Sequence, residues 1–311
     1  MPRDLNRKPD WVRMSIPTGG IAMAMQRRLA RLGLHTVCQE ARCPNQGECW
    51  GAGTATVMIL GDTCTRSCTF CAVKSGHPGG LVDADEPRRI GEAISEAGLD
   101  YVVVTSVDRD DLPDGGAGQF AATIGALRLA GKGVRVEVLI PGYVDTALAA
   151  VVDAAPDVLA HNIEVVRRLT PEVRDRRATY DSSLNTLRQA VQMSPSILTK
   201  SSLMLGFGET ADEVSECLLD LRRAGVRLVT IGQYLRPSAR HHPVVRYVSP
   251  EEFADHEREA RSMGFEFVAS GPLVRSSYRA AELFTAKRLG IGAGGMEADA
   301  RPMPLSGQDD Q

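Results

Sequence analysis

Apolar positions along this chain fall into short blocks whose period switches back and forth between strand and helix. TATVMIL (54–60), YVVVTSV (101–107), VRVEVLIP (134–141), DVLAHNIE (157–164), ILTKSSLMLG (197–206) and VRLVTIGQYL (226–235) are compact apolar runs rich in β-branched residues. Runs of this kind predict strands buried on both faces. Helical periodicity fills the intervals. In DEPRRIGEAISEAG, Ile90, Ala93, Ile94 and Ala97 share a face, while Pro87 suits a first turn and Gly98 a C-terminal stop. GGAGQFAATIGALRLA, TALAAVVDAA and a segment around SSLNTLRQAVQM predict further helices. Thr210 and Glu213 form a capping-box pattern ahead of a helix that carries Val214, Leu218 and Leu221 on one face and stops at Gly225. Ser249-Pro250-Glu251-Glu252 opens another helix by the same logic, and FEFVAS (265–270) reads as a last strand or extended segment.

Repeated β-then-α units with apolar strands predict a parallel sheet covered by helices. Five or six units in a row favour an α/β fold of the partial (β/α)6 TIM-type barrel kind over an open doubly wound sheet. No G-x-G-x-x-G follows the first strand, which weakens a dinucleotide-binding reading. No internal repeat is visible. The chain divides into an irregular N-terminal extension (1–52) expected to wrap on the barrel, a barrel with a C-terminal closing segment (53–284), and a tail (285–311). That tail is rich in Gly, Pro and polar residues and is expected to be flexible.

Composition narrows the class without changing this picture. Apolar residues make up 43% and charged residues 24% of the 311, as in soluble globular proteins. A net charge of -3 argues against a generic nucleic-acid binder. No run of about eighteen apolar residues suggests a membrane span. The N-terminal segment lacks the apolar core of a secretory signal, and Asp4 and Asp10 count against a transit peptide. A cytoplasmic protein is expected, with neither nucleic acid nor membrane as partner.

The cysteines carry the chemistry. Six of the seven lie between 38 and 71, as Cys38-x4-Cys43-x5-Cys49 and Cys64-x3-Cys68-x2-Cys71. In a reducing compartment, clustered cysteines are metal ligands or catalysts more often than disulfides. Each triplet is one thiolate short of a closed tetrahedral site. The second triplet begins four residues after the first predicted strand, on the barrel face where active sites form. Three thiolates in eight residues can hold three irons of a cubane cluster and leave the fourth free for a chelating small molecule. The alternative is zinc with His77 or His35 as fourth ligand, although only one C-x2-C knuckle is present. Read alone, the first triplet fits a structural zinc or an electron relay.

Among the other candidates, Cys217 sits on the apolar stripe of the 211–224 helix and reads as core. Asn162 and Glu164 end a predicted strand on the active face, where Asn162 could touch a cofactor. Gly206 and Gly208 end another, where glycine lets backbone approach a ligand. Arg236, Arg240, His241, His242 and Arg246 form a basic stretch with no assignable roles. No Ser-His-Asp grouping or paired-carboxylate constellation stands out.

The C-x3-C-x2-C loop after a first barrel strand resembles that of the radical S-adenosylmethionine (SAM) enzymes. HTVCQEARCPNQGECW (35–50) closely resembles the auxiliary-cluster segment of the lipoyl synthase family. RKPDW (7–11), DDLPDGGA (110–117), LAHNIE (159–164), LGFGET (205–210), QYLRPSARHHPVVRYVSPEEF (233–253) and GPLVRSSYRA (271–280) extend the resemblance over roughly residues 7 to 284. This resemblance implies a 4Fe–4S cluster on Cys64, Cys68 and Cys71 that binds SAM, with Phe70 beside the adenine. It implies a second 4Fe–4S cluster on Cys38, Cys43 and Cys49, completed by a serine of Arg275-Ser276-Ser277-Tyr278. Ser277 is assigned as the ligand and Ser276 is the runner-up. The implied reaction is radical insertion of two sulfurs at C6 and C8 of a protein-bound octanoyl-lysine, with the second cluster as sulfur donor. The implied partners are octanoylated lipoyl-carrier domains (2-oxo acid dehydrogenase E2 subunits and glycine cleavage H protein), a ferredoxin or flavodoxin type electron donor, and an iron–sulfur carrier that rebuilds the consumed cluster.

Overall fold

Six β/α units and one closing strand make up the barrel in a computed structural model that describes residues 8–12, 35–36, 45, 49, 54–130 and 133–278. The strands are β1 (Thr54–Ile59), β2 (Tyr101–Ser106), β3 (Arg135–Leu139), β4 (Val158–Ala160), β5 (Leu198–Leu205), β6 (Leu228–Gln233) and β7 (Phe267–Gly271). They pair in chain order, each parallel to the next. Helices α1 (Glu86–Ala97), α2 (Ala117–Ala130), α3 (Asp145–Asp153), α4 (Tyr180–Met193), α5 (Ala211–Arg223) and α6 (Pro250–Ser262) make the crossovers. Among the described residues no ladder joins β7 to β1, so the barrel is partial. His35–Thr36 pairs antiparallel with β1 and covers that edge, opposite Met58 and Val57. The part of the N-terminal extension just before Cys38 therefore lies on the barrel. Cys38, Cys43 and the 285–311 tail lie outside the described residues.

Local chemistry sets the helix ends where the sequence places them. Gly98 takes a left-handed φ of 63° at the end of α1, and Pro87 sits in its first turn. Both capping boxes form, Thr210 with Glu213 on α5 and Ser249 with Glu252 on α6.

Alternate strand residues serve two different interiors. Val57, Ile59, Val102, Val104, Val136 and Val138 face outward and are buried against Ile90, Ile94, Phe120, Ile124, Leu127 and Leu148 of α1 to α3. Leu203, Leu205, Val229 and Ile231 do the same against Val214, Cys217, Leu218, Leu221 and Phe253 of α5 and α6. Cys217, 1% exposed, is a core residue. The inward set is polar: Thr54, Thr56, Thr105, Glu137, Lys200, Ser202 and Thr230 are all buried. Val158, Leu198, Leu228 and Phe267 close the lower end as a small apolar plug.

Within that polar lumen, Lys200 Nζ reaches Glu137 at 2.9 Å and 3.1 Å, and Tyr101 donates its hydroxyl to Glu137 at 2.7 Å. Burial pushes the Tyr101 phenol up, and the neighbouring Glu137 charge adds to the effect. Removing one member of such a pair strands the other charge. Lys200→Met is therefore expected to lower unfolding stability by about 3–5 kcal/mol. The double variant with Glu137→Gln should regain most of that loss in urea unfolding, because neither charge is then left alone.

Candidate active site

The segment after β1 curls back on itself. Thr63–Cys64 pairs in parallel with Lys74–Ser75, and Gly76 N–H bonds the Cys64 carbonyl at 2.8 Å. The small ladder closes a loop containing Cys64, Cys68 and Cys71 over the C-terminal ends of β2 to β4. Charged pairs pin it from outside. Arg66 meets Asp108 at 3.1 Å and Asp110 at 2.9 Å, and Arg177 meets Asp110 at 3.1 Å and Asp175 at 2.9 Å. The basic stretch supplies the other side of the clamp. His242 N–H bonds Thr69 O, the His241 ring Nε2 lies 2.9 Å from Cys71 O, and Arg236 Nε donates to His241 O at 2.8 Å. His241, His242 and Arg236 thus buttress the cysteine loop, a role the sequence alone leaves open.

Each of the three sulfurs accepts a backbone N–H. Cys64 Sγ accepts from Arg66 and Asp108 at 3.4 Å, Cys68 Sγ from Asp175 at 3.3 Å, and Cys71 from Val73. Such donors favour thiolate, which is the form that binds iron. Burial acts in the opposite sense and raises all three thiols, Cys71 to about 12. The N–H donors and burial pull in opposite directions, a balance that a bound cation would tip toward thiolate. A single zinc ion suits the loop poorly. His77 Nδ1 accepts from Gly79 N–H within its own turn, and among the described residues no three His, Cys, Asp or Glu side chains converge on one ion. Three thiolates on one short loop match the donor set of a cubane cluster with one iron left open.

Below the loop lies an open cleft of about 190 Å³, lined by all three cysteines, Phe70, Asn162, Glu164 and Arg174, among others. Three buried polar atoms on its walls have no protein partner: Ser106 Oγ, Asn162 Oδ1 and Arg174 Nε. Orphaned groups of this kind in a cleft are what a polar ligand satisfies. Their positions are fixed from behind. His161 Nδ1 faces the Ile140 carbonyl at 2.9 Å, so that nitrogen carries the proton and Nε2 accepts from Ser183 Oγ at 3.0 Å. Arg174 Nη1 in turn donates to Ser183 Oγ at 2.7 Å. Burial, helped by the nearby Arg174 charge, pushes His161 down to about 4 and keeps its imidazole neutral. Asn162 donates to Glu164, whose carboxyl is raised by burial and whose φ of 69° is strained for a non-glycine residue.

Phe70 and Asn162 therefore line the same cleft as the second triplet. Gly206 and Gly208 do not. Gly206 has a φ of 117°, and a side chain there would sit 2.2 Å from Gln233 Nε2 and 2.9 Å from Arg246 O. The close approach expected from these glycines is made by the chain's own 233–246 segment. Arg174, Ser106, Asp108 and His161 were not singled out from sequence. Arg174 is one of five arginines between 167 and 177, and nothing in the string tells which is buried.

Two pieces of the chain far apart in sequence meet beside the β6–β7 edge. After β7 a turn runs through Leu273 and Val274 to Arg275–Tyr278, with Tyr278 N–H bonded to Arg275 O. Ser276 and Ser277 sit on it, half-buried. Asn45, between Cys43 and Cys49, donates its side-chain amide to Leu273 O at 2.7 Å. Neither Cys49 nor Ser277 lines the cleft under the second triplet.

Comparison with known proteins agrees with this architecture. The radical SAM superfamily profile matches residues 58–221, and that of the N-terminal domain of lipoyl synthase matches residues 3–43. The lipoyl synthase of Thermus thermophilus is 56% identical over 285 residues, covering 91% of this chain and 88% of its own. That of Pyrobaculum calidifontis is 54% identical over 280 residues, 89% of this chain and 96% of its own. Among solved structures, the FeFe-hydrogenase maturase HydG of Carboxydothermus hydrogenoformans superposes with a TM-score of 0.53 at 14% identity, over 86% of this chain and 77% of its own. Methylornithine synthase gives 0.52 at 13% identity, over 86% of this chain and 92% of its own. These two likenesses establish the barrel. The sequence identities go further, and the chain belongs to the lipoyl synthase family of radical SAM enzymes.

Proposed function

We propose that this protein converts a protein-bound octanoyl-lysine into lipoyl-lysine by inserting sulfur at C6 and C8. The observation that carries the reading is 56% identity to a lipoyl synthase across 91% of the chain. Membership of the radical SAM superfamily brings with it a 4Fe–4S cluster and SAM. Cys64, Cys68 and Cys71 would hold that cluster. SAM would lie in the cleft beneath them, with Phe70 against its adenine and the unpartnered atoms of Ser106, Asn162 and Arg174 available to its polar groups. Cys38, Cys43, Cys49 and Ser277 would hold a second 4Fe–4S cluster. When bound, these groups supply hydrogen-atom abstraction at the two carbons and the sulfide that becomes the new C–S bonds.

The chain's own residues do the positioning. Arg66, Asp110, Asp175, Arg177 and His241 hold the cysteine loop, and the Arg174–Ser183–His161 relay holds the cleft wall. The protein substrates are octanoylated lipoyl-carrier domains, the E2 subunits and the H protein. A ferredoxin or flavodoxin type donor supplies electrons and an iron–sulfur carrier rebuilds the second cluster, in the cytoplasm. Among the described residues no helix is long and apolar enough to cross a membrane.

The test uses the full chain assembled anaerobically with iron and sulfide, then mixed with octanoyl-lysine peptide, dithionite and SAM. Mass spectrometry should find the peptide carrying two added sulfurs. Cleaved SAM with unmodified peptide would point to a different substrate and sink the reading.

A further inference from the structure

We infer that Asn45 is a positioning residue, a latch that joins the first cysteine triplet to the serine-bearing turn at the far end of the chain. The inference rests on the proposed reading in which Cys38, Cys43, Cys49 and Ser277 share one cluster. Those ligands come from segments more than two hundred residues apart, and their convergence needs a physical tie. Asn45 lies two residues after Cys43 and four before Cys49, and is 6% exposed. Its backbone carbonyl accepts from Cys49 N–H at 2.9 Å. Its side chain donates to Leu273 O at 2.7 Å, across 228 positions. One residue therefore bonds both halves of the proposed ligand set.

The receiving turn is itself held. Val274 N–H bonds Gly271 O, and Arg275 Nη1 donates to Gln233 O at 3.4 Å and to Val274 O at 2.7 Å. Val274 O presses so closely on β6 that a side chain at Gly232 would meet it at 2.2 Å. The turn is fixed to the barrel, and Asn45 ties Cys49 to that fixed point. A buried amide facing a carbonyl also has strict requirements. Aspartate has the same shape but turns an acceptor toward Leu273 O.

The test compares Asn45→Asp, Asn45→Ala, Ser277→Ala and the unaltered protein, all full length and assembled anaerobically. In the Asn45 variants roughly half of the iron should leave to a chelator about tenfold or more faster than in the unaltered protein. SAM cleavage should persist, and the Mössbauer signal of the oxygen-ligated iron should weaken as it does in Ser277→Ala. Unchanged iron release and an unchanged Mössbauer signal in Asn45→Asp would overturn the latch. Loss of SAM cleavage together with the iron would also overturn it, by making Asn45 a general packing residue. If the unaltered protein holds a single cluster and no oxygen-ligated iron, the two-cluster reading itself has failed. That outcome is separate from failure of the latch.

Discussion

Replacing Cys68 with Ala is expected to stop the cleavage of SAM to 5′-deoxyadenosine and methionine. The loop holding Cys68 has a single purpose legible in its bonding: backbone N–H groups point at all three sulfurs, and ion pairs fix the loop from two sides. In the proposed reading, with one thiolate gone, one iron would lose its protein ligand. Changing groups behind a metal's ligands commonly costs tenfold to a hundredfold, so losing a ligand should cost more than about a hundredfold. Cleavage, iron content and the absorbance of the dithionite-reduced protein report the loss together. Cys217→Ala is the matched control. That thiol is sealed between α5 and the sheet, so iron content and cleavage should be unchanged. A Cys68→Ala protein that cleaves SAM at the normal rate would remove the second triplet from the radical site.

The barrel was legible because its strands are apolar on the helix-facing side and its helices carry their own punctuation. Gly98, Thr210 with Glu213, and Ser249 with Glu252 all act locally, and local chemistry survives in a string of letters. The polar lumen was harder to read. Thr54, Thr56 and Thr105 have β-branched side chains that suit a strand whatever they face, and only closure of the sheet turns them inward. The pairing of Lys200 with Glu137 depends on strand register across the lumen, which no local pattern encodes.

The candidate site divides the same way. The cysteine spacings announced themselves because three ligands within eight residues must share a centre. The cleft wall did not, because Ser106 ends β2 while His161 and Arg174 come from the connection between β4 and α4, and they become a set only through the fold. Gly206 is legible only in part. A glycine at a strand end signals close approach, but the sequence does not say to what, and here the approaching group is Gln233. His241 and His242 belong to a basic stretch whose roles the sequence leaves open. Their ring and backbone contacts go to Cys71 O, Thr69 O and Glu172, which makes them supports for the loop.

Cys49→Ala and Ser277→Ala should behave in the opposite way to Cys68→Ala: SAM cleavage continues while sulfur insertion falls. Both residues stand apart from the cleft that the second triplet shares with Asn162 and Arg174, where SAM is proposed to bind. Cys49 packs against the core near β1 and Ser277 sits on the turn after β7. The two substitutions differ in kind. A thiolate is a soft, strong ligand to iron, and its loss should prevent the second cluster from assembling. A serine oxygen is hard and more easily displaced, so its loss should leave a cluster that forms but decays. Lipoyl product is expected to fall more than about a hundredfold in Cys49→Ala and by a smaller factor in Ser277→Ala. Mass spectrometry of the octanoyl peptide and chromatography of 5′-deoxyadenosine from the same reaction separate the two activities. Normal product from Cys49→Ala would end the claim that the first triplet gives up its sulfur. Normal product from Ser277→Ala, with loss in Ser276→Ala, would move the ligand by one residue.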